Sequence, residues 1–275
     1  MTTFRGSAAR TESWEHFEFS VADGVATVTF NRPDKLNALT FSVYADLRDL
    51  LGEISTRDDI AVLVITGRGK GFCSGGDVEE IIGELQTMES ADLLDFTRMT
   101  GSVVQRMREL PVPIVAGING TTAGAGAAIA LAADLRIVVR SAKFAFLFTK
   151  VGLSGADMGA TYMLPRLIGM AKATELLMLG DTVRAEEADR LGLVTELVDD
   201  DALAETTNAL ARRLADGPAM AYGATKSLLT REQEMSLSAA IELDAQTQAL
   251  LMTAHDHREF YRAYTEKRDP NWRGR

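Results

Sequence analysis

The sequence predicts an α/β body followed by an all-helical region. Three observations carry that expectation. The β-branched runs at residues 61–66 and Ile114–Ile118 read as buried strands, and each leads into a glycine-rich turn and then a helix start. From residue 17 to residue 198 strand and helix patterns alternate, as they do in layered α/β folds. After Asp199 no strand signal remains.

In order, residues 17–21 and 25–30 alternate polar and apolar side chains around Asp23-Gly24, a hairpin signal. Residues 31–39 form a loop carrying Arg32 and Lys35. Thr40 suits the N-cap of a helix to about Ile54, with Leu47, Leu50, Leu51 and Ile54 on one face. Strand 61–66 enters the loop Gly67-Arg-Gly-Lys-Gly-Phe-Cys-Ser-Gly-Gly-Asp77, and Asp77 and Glu79 suit the helix N-terminus that follows. Residues 79–89 are polar and weakly patterned, as in a mobile segment. Ser90 is placed to cap a helix through Glu109 that ends before Pro111 and Pro113.

Strand Ile114–Ile118 breaks at Asn119-Gly120. Gly124 and Gly126 then precede a wholly apolar stretch, 127–133, which reads as a buried helix. Leu135–Val139 is a strand, and 143–148 a strand or extended wall. Residues 152–159 form another glycine-rich loop. Helices at 160–168, 171–179 and 185–191 and a strand at 194–198 complete the body. Helices at 202–215, 219–229, 237–251 and 256–266 follow. The expected organisation is a loose tail over 1–14, an α/β body over 15–199, and a helical region over 200–275 that packs on the body or on a neighbouring subunit.

The chain has 275 residues and a net charge of -10, which disfavours nucleic acid and anionic membrane as partners. Cys73 is the one cysteine, so neither an intrachain disulfide nor a cysteine-built metal site is possible, and a reducing cytoplasm is expected. No apolar run reaches the roughly 18 residues of a membrane helix, and the first residues lack the apolar core of a secretory signal.

The chemistry concentrates in the two strand–turn–helix stretches. Each offers backbone N–H groups at a helix start with no side chain in the way. Two such amides aimed at one point form an oxyanion hole for a carbonyl oxygen gaining negative charge; each stretch alone also reads as a tight turn. Asp157, between Ala156 and Met158, reads either as the N-cap of the next helix or as a carboxylate of raised pKa in an apolar pocket, serving as base, acid or nucleophile. Asp134 is expected to pair internally with Arg136. Arg32, Lys35, Lys267 and Arg268 are candidate phosphate ligands. His16, His255 and His257 read as solvated, and no Gly-x-Ser-x-Gly elbow supports a serine hydrolase. The Gly124-x-Gly126-x-x-Ile129 pattern is a poor dinucleotide fingerprint, because its last position is neither Gly nor Ala.

Asn31-Arg-Pro-Asp-Lys-Leu-Asn-Ala-Leu39, Gly71-Phe-Cys-Ser-Gly-Gly-Asp77 and Ile118-Asn-Gly-Thr-Thr-Ala-Gly-Ala-Gly126 resemble three signatures of the crotonase superfamily, the enoyl-CoA hydratase/isomerase proteins. Residues 258–268 resemble that family's last helix. The resemblance spans about residues 15 to 273. It implies a ClpP/crotonase-like spiral of ββα repeats, a C-terminal helical trimerisation region, and a homo-trimer or a hexamer built as a dimer of trimers. It also implies an acyl-CoA thioester as ligand, with no separate cofactor and no metal. Gly76 matches the first oxyanion amide, and Ala125 the second. Lys35, Leu36, Ala38, Ser74, Gly75, Gly76 and Asp77 fall where the family holds coenzyme A. Lys267 falls where a basic residue from the last helix approaches a CoA phosphate.

The sequence departs from that pattern at the proton-moving groups. The two catalytic glutamates of typical hydratases match Ala128 and Phe148. Asp157 matches a position where dienoyl-CoA isomerases and chlorobenzoyl-CoA dehalogenases carry a functional aspartate. The resemblance therefore implies enolate chemistry with Asp157 as acid or base. Rival readings make Asp157 a nucleophile in thioester hydrolysis or dehalogenation, or the chain a binding protein without turnover. Phe144, Phe146 and Phe148 are expected to line the acyl pocket.

Overall fold

The computed structural model describes residues 10–11 and 13–274. Most of the expected tail, residues 1–9 and 12, lies outside the described residues. Within the rest of it, the Thr11 amide donates to Glu53 and Trp14 stacks on Phe17, with ring centroids 5.8 Å apart.

The hairpin forms as its Asp23-Gly24 turn predicts, from β1 (Glu18–Ala22) and β2 (Val25–Phe30). Helix α1 (Phe41–Ile54) is capped by Thr40, whose hydroxyl accepts from the Val43 amide at 3.3 Å. Then come β3 (Val62–Gly67), β4 (Gly71–Cys73), a π-helical turn (Val78–Gly83) and α2 (Ser90–Glu109). Ser90 does not cap α2: the N-cap is Glu89, with no side-chain bond to the helix. The same order repeats in β5 (Ile114–Ile118), β6 (Thr121–Ala123) and α3 (Ala125–Ala132). It repeats again in β7 (Leu135–Val139), β8 (Lys143–Ala145) and, after a 3-10 turn, α4 (Ala160–Ile168). Helix α5 (Met170–Leu179), β9 (Thr182–Arg184), α6 (Ala185–Arg190) and β10 (Glu196–Val198) follow. The last four helices are α7 (Leu203–Ala215), α8 (Ala219–Arg231), α9 (Leu237–Met252) and α10 (His255–Glu266).

Three successive ββα turns thus stack as a spiral. The first strand of each turn joins one sheet, of order β1-β2-β3-β5-β7-β10. The second joins a smaller sheet, of order β4-β6-β8-β9. Pairing along the spiral is parallel, with Leu63 opposite Ile114 and Val115 opposite Leu135 in the large sheet, and Gly71 opposite Thr121 in the small one. The strands of the small sheet are three residues each and sit in glycine-rich or apolar stretches, where no alternation marks them. Their partners one spiral turn away make them strands.

Every residue of α3 is buried, and the core continues through Val28, Leu63, Ile65, Ile114, Ile129 and Ile137. Helix α7 packs on β3, β5 and β7, so the helical region begins as a cover for the large sheet. Helix α9 has no buried residue.

Candidate active site

Gly75 has φ of +104°, in the region that favours glycine, and a β-carbon there would lie 3.5 Å from the Ala125 nitrogen. This contact joins the two strand–turn–helix stretches. Residues 36–39 run beside 74–77: Ser74 donates to the Leu36 carbonyl at 3.0 Å, Leu39 to that of Gly75 at 2.8 Å, and Asp77 to that of Leu39 at 2.8 Å. Leu39 and Gly76 form a parallel bridge, which turns the Gly76 N–H away from residues 36–39. Among the described residues that N–H has no acceptor. At the start of α3 the first amide bonded within the helix is that of Ala128, donating to Gly124 at 3.1 Å. The Ala125 amide is therefore one of the unpaired donors of a helix N-terminus.

Two groups hold the first amide in place. Asn37, buried and at φ +57°, accepts from the Arg32 amide at 2.8 Å and donates to the carbonyls of Arg68 and Gly71. Arg32 donates Nη1 to the Ala38 carbonyl at 2.7 Å and Nη2 to Glu80 at 2.6 Å, and its Nη2 pairs with Asp77 at 3.1 Å. The Asp77 carboxylate caps the π-helical turn by accepting from the amides of Glu79 and Glu80. The Glu80 amide first, with that of Glu79 and with Arg32, holds its pKa below the ordinary carboxylate value. Arg32 and Asp77 are thus occupied in building the loop.

Lys35 extends from this loop and pairs with exposed Glu79 at 3.3 Å. The Ser74 hydroxyl donates to the Lys35 carbonyl at 3.3 Å, Leu36 is half-exposed at φ +48°, and Ala38 is buried. The loop thus gathers Lys35, Leu36, Ala38, Ser74, Gly75, Gly76 and Asp77. Lys267 ends α10 at φ +55° and is exposed, and no hydrogen bond or ion pair among the described residues joins it to that loop. Arg268 is engaged by Glu259 and Glu266, each at 2.6 Å.

Asp157 is not a side-chain cap. The N-cap of α4 is Gly159, and the Asp157 carboxylate accepts from its neighbour, Met158, at 2.9 Å. Met158 is held at φ +45°, a strained value for a side chain with a β-carbon. Burial pushes the Asp157 carboxyl above its ordinary 3.8, and the Met158 amide offsets part of that. The Asp157 turn lies against α2, since a β-carbon on Gly159 would sit 3.8 Å from Val104. A cavity of about 520 Å³ adjoins it, lined by Val104, Leu131, Met158, Tyr162 and Met163 among others. Phe144, Phe146 and Phe148 do not line that cavity. They are at most 6% exposed and belong to the core: Phe144 is buried within β8, and Phe146 and Phe148 are buried where the run passes into the 3-10 turn.

The expected Asp134–Arg136 pair is also corrected. Asp134 pairs with Arg108 at 3.0 Å and with buried Lys226 at 2.8 Å, and accepts from the Ile114 amide. Arg136 donates to the carbonyls of Leu193, Ala130 and Ala133, and burial lowers its pKa to about 10. Asp134 precedes β7, and Arg136 spends its donors on backbone carbonyls, so sequence proximity misassigns the partner. His16 is paired, with Asp46 at 2.6 Å.

The profile described as Enoyl-CoA hydratase/isomerase matches residues 20–275. The chain belongs to the enoyl-CoA hydratase/isomerase family. This places it in the crotonase superfamily, whose fold the spiral is, among lyases and isomerases. It is similar to a 1,2-epoxyphenylacetyl-CoA isomerase of Escherichia coli (strain K12), 37% identical over 93% of this chain and 97% of that protein. An (E)-benzylidenesuccinyl-CoA hydratase of Thauera aromatica is 36% identical over 92% of this chain and 97% of its own length. Among solved structures, a Streptomyces coelicolor A3(2) protein provisionally assigned as an enoyl-CoA hydratase is 61% identical, covers both chains fully and superposes with a TM-score of 0.97. These relatives span the whole spiral and the C-terminal helices. No helix among the described residues is long and apolar enough to cross a membrane.

Proposed function

We propose that this protein is an acyl-CoA enzyme that holds the thioester oxygen between the Gly76 and Ala125 amides and moves a proton with Asp157. The observation that carries the reading is the approach of Gly75 to the Ala125 nitrogen, with neither candidate amide bonded to an acceptor among the described residues. Each such donor lowers the barrier to an enolate by about 3 kcal/mol in comparable sites. The raised pKa of Asp157 suits a carboxylate that takes a proton from one carbon and returns it to another, as in double-bond isomerisation or water addition. The names of the E. coli and Thauera relatives, an isomerase and a hydratase of CoA esters, support an isomerase or hydratase reading in general.

In this reading Lys35, Leu36, Ala38, Ser74, Gly75 and Asp77 form the wall against which coenzyme A lies, and Lys267 meets a CoA phosphate from the last helix. The substrate brings the CoA; no further cofactor is invoked. Assembly as a trimer or a dimer of trimers is supported by α9, which exposes Leu237, Ile241 and Leu250 and has no fully buried residue. Light scattering at micromolar concentration reads that mass directly.

The decisive experiment is a panel of enoyl-, hydroxyacyl- and acyl-CoA esters with the wild type and Asp157→Asn. Turnover by the wild type and its loss in the variant, with CoA-ester affinity kept, is the expected result. Binding without turnover in the wild type makes the chain a binding protein. A covalent acyl adduct on Asp157 would favour the nucleophile reading. Failure to bind any CoA ester removes the proposal.

A further inference from the structure

Basic side chains gather along one end of the small sheet, on residues that have no part in the scheme above. The register places Thr121 opposite Lys143, and Lys143 opposite Arg184. Residues paired directly across strands point to the same face, so these three side chains stand in one row. Lys70 immediately precedes β4, whose Gly71 lies opposite Thr121. From β4 to β9 the row spans three strand spacings, about 14 Å. A groove of about 1030 Å³ runs along it, lined by Lys70, Thr121, Arg140, Lys143, Arg184 and Glu186 among others.

These charges are not answered within the chain. Lys143 and Arg184 are like charges directly opposite each other, an arrangement that destabilises a strand pair. The sequence has 39 acidic residues against 29 basic ones, yet Lys70, Lys143 and Arg184 make no ion pair among the described residues. Asp200, which also lines the groove, accepts from the amide and hydroxyl of Ser141, and Arg140 is paired with Asp199 at 3.0 Å. Glu186 pairs with none of the cations, and the Thr121 hydroxyl makes no hydrogen bond among the described residues. The floor is fixed by the backbone. Asn119 donates Nδ2 to the carbonyls of Gly69 and Gly71, each at 2.9 Å, and a β-carbon on Gly120 would lie 2.1 Å from the Lys70 carbonyl oxygen.

We infer that this groove binds a phosphorylated polyanion of the size of a nucleoside diphosphate, at a site separate from the coenzyme A wall. The Arg184 fork suits bidentate contact with one phosphate, Lys143 and Lys70 supply point charges to the next, and Thr121 supplies a neutral donor. A single small ion would leave most of the row unanswered. The net charge of -10 disfavours nucleic acid as the occupant. None of Lys35, Leu36, Ala38, Ser74, Gly75 and Asp77 lines the groove. Coenzyme A carries phosphates of its own, so it is the second source of the same chemistry.

The test is calorimetry on the full-length protein at about 0.15 M salt, with pyrophosphate, ADP and a CoA ester in turn. Wild type is compared with a variant carrying both Lys143→Gln and Arg184→Gln, two exposed positions. Binding of pyrophosphate and ADP to wild type, weakened at least about ten-fold in the variant, is expected, with CoA-ester affinity unchanged. Without any anion the variant should melt above wild type, because the opposed charges are gone, and pyrophosphate should raise the Tm of wild type alone. No binding of either anion, or equal binding by the variant, overturns the inference. A CoA-ester affinity that falls together with that of ADP assigns the groove to coenzyme A and overturns its separateness. If pyrophosphate binds wild type and no CoA ester does, the acyl-CoA reading falls and the groove stands.

Discussion

Gly126 lies directly against Cys73. A β-carbon at Gly126 would fall inside the carbonyl oxygen of Cys73 and 2.7 Å from its β-carbon. The first turn of α3 therefore packs backbone to backbone on β4, and this contact sets how closely the α3 N-terminus approaches Gly75 and Gly76. Gly126→Ala forces the two apart. Overpacking of this kind costs about 1–3 kcal/mol. A lower Tm and loss of CoA-ester binding are expected, and wild-type affinity in a folded variant would show that this spacing does not govern the site.

Asp157→Asn makes opposite predictions for activity and stability. Turnover is expected to fall by roughly 100- to 10,000-fold. A carboxyl whose native pKa lies above its unfolded value holds its proton more tightly when folded. It therefore destabilises the fold progressively as pH rises past the ordinary 3.8, up to the native pKa, and by a constant amount beyond. The variant should melt higher than the wild type at pH 7, and the gap should vanish below the ordinary carboxylate range. An equal or lower Tm at pH 7 would contradict the burial of a charge there. The wild-type rate should show an acid limb with an apparent pKa above 3.8.

Arg32 is expected to act as a positioning residue. It ties the Ala38 carbonyl to Asp77, the two sides of the Leu39–Gly76 bridge. Displacement of the Gly76 amide by Arg32→Ala is expected to lower kcat by roughly 100-fold, the cost of a misplacement of about 1 Å. KM should change far less. Arg32→Lys cannot reach both partners and should rescue only part of kcat; a rise in KM with kcat unchanged would make Arg32 a phosphate ligand instead.

Lys226→Met leaves Asp134 with Arg108 and the Ile114 amide alone, at the seam between α8 and the body. Removing one partner of a buried pair costs about 3 kcal/mol or more. Denaturant unfolding should show that loss without a change in the fluorescence of the native state.

The chain's end is held by carboxylates. Glu259 accepts from Arg268 and from the Asn271 amide, which together lower its pKa to about 2. A depressed carboxyl stabilises the fold fully above its unfolded value of 4.5 and loses that effect as pH falls towards 2. Glu259→Gln should therefore expose residues 268–274 to faster amide exchange at neutral pH. The difference from wild type should close on acidification.

Much of the large sheet and most helices were legible because long apolar patterns announce them. Ile114–Ile118 and Leu135–Val139 match their predicted ranges, and Thr40 caps α1 as its side chain suggests. Most of the small sheet was not legible; only β8 falls within a run read as a strand or wall. Gly71–Cys73 and Thr121–Ala123 have no alternation of their own and become strands through each other.

By itself the amino-acid order determined the α/β body, its helical continuation and the glycine-lined helix starts, since local patterning and backbone sterics act over a few residues. The tertiary structure decided what those pieces face. It chose Arg108 and Lys226 for Asp134, freed Asp157 from capping, and buried the three phenylalanines. It also set Gly75 against Ala125, 50 residues further along the chain. Such pairings depend on how one turn of the spiral stacks on the next, and no stretch of a single turn contains that information.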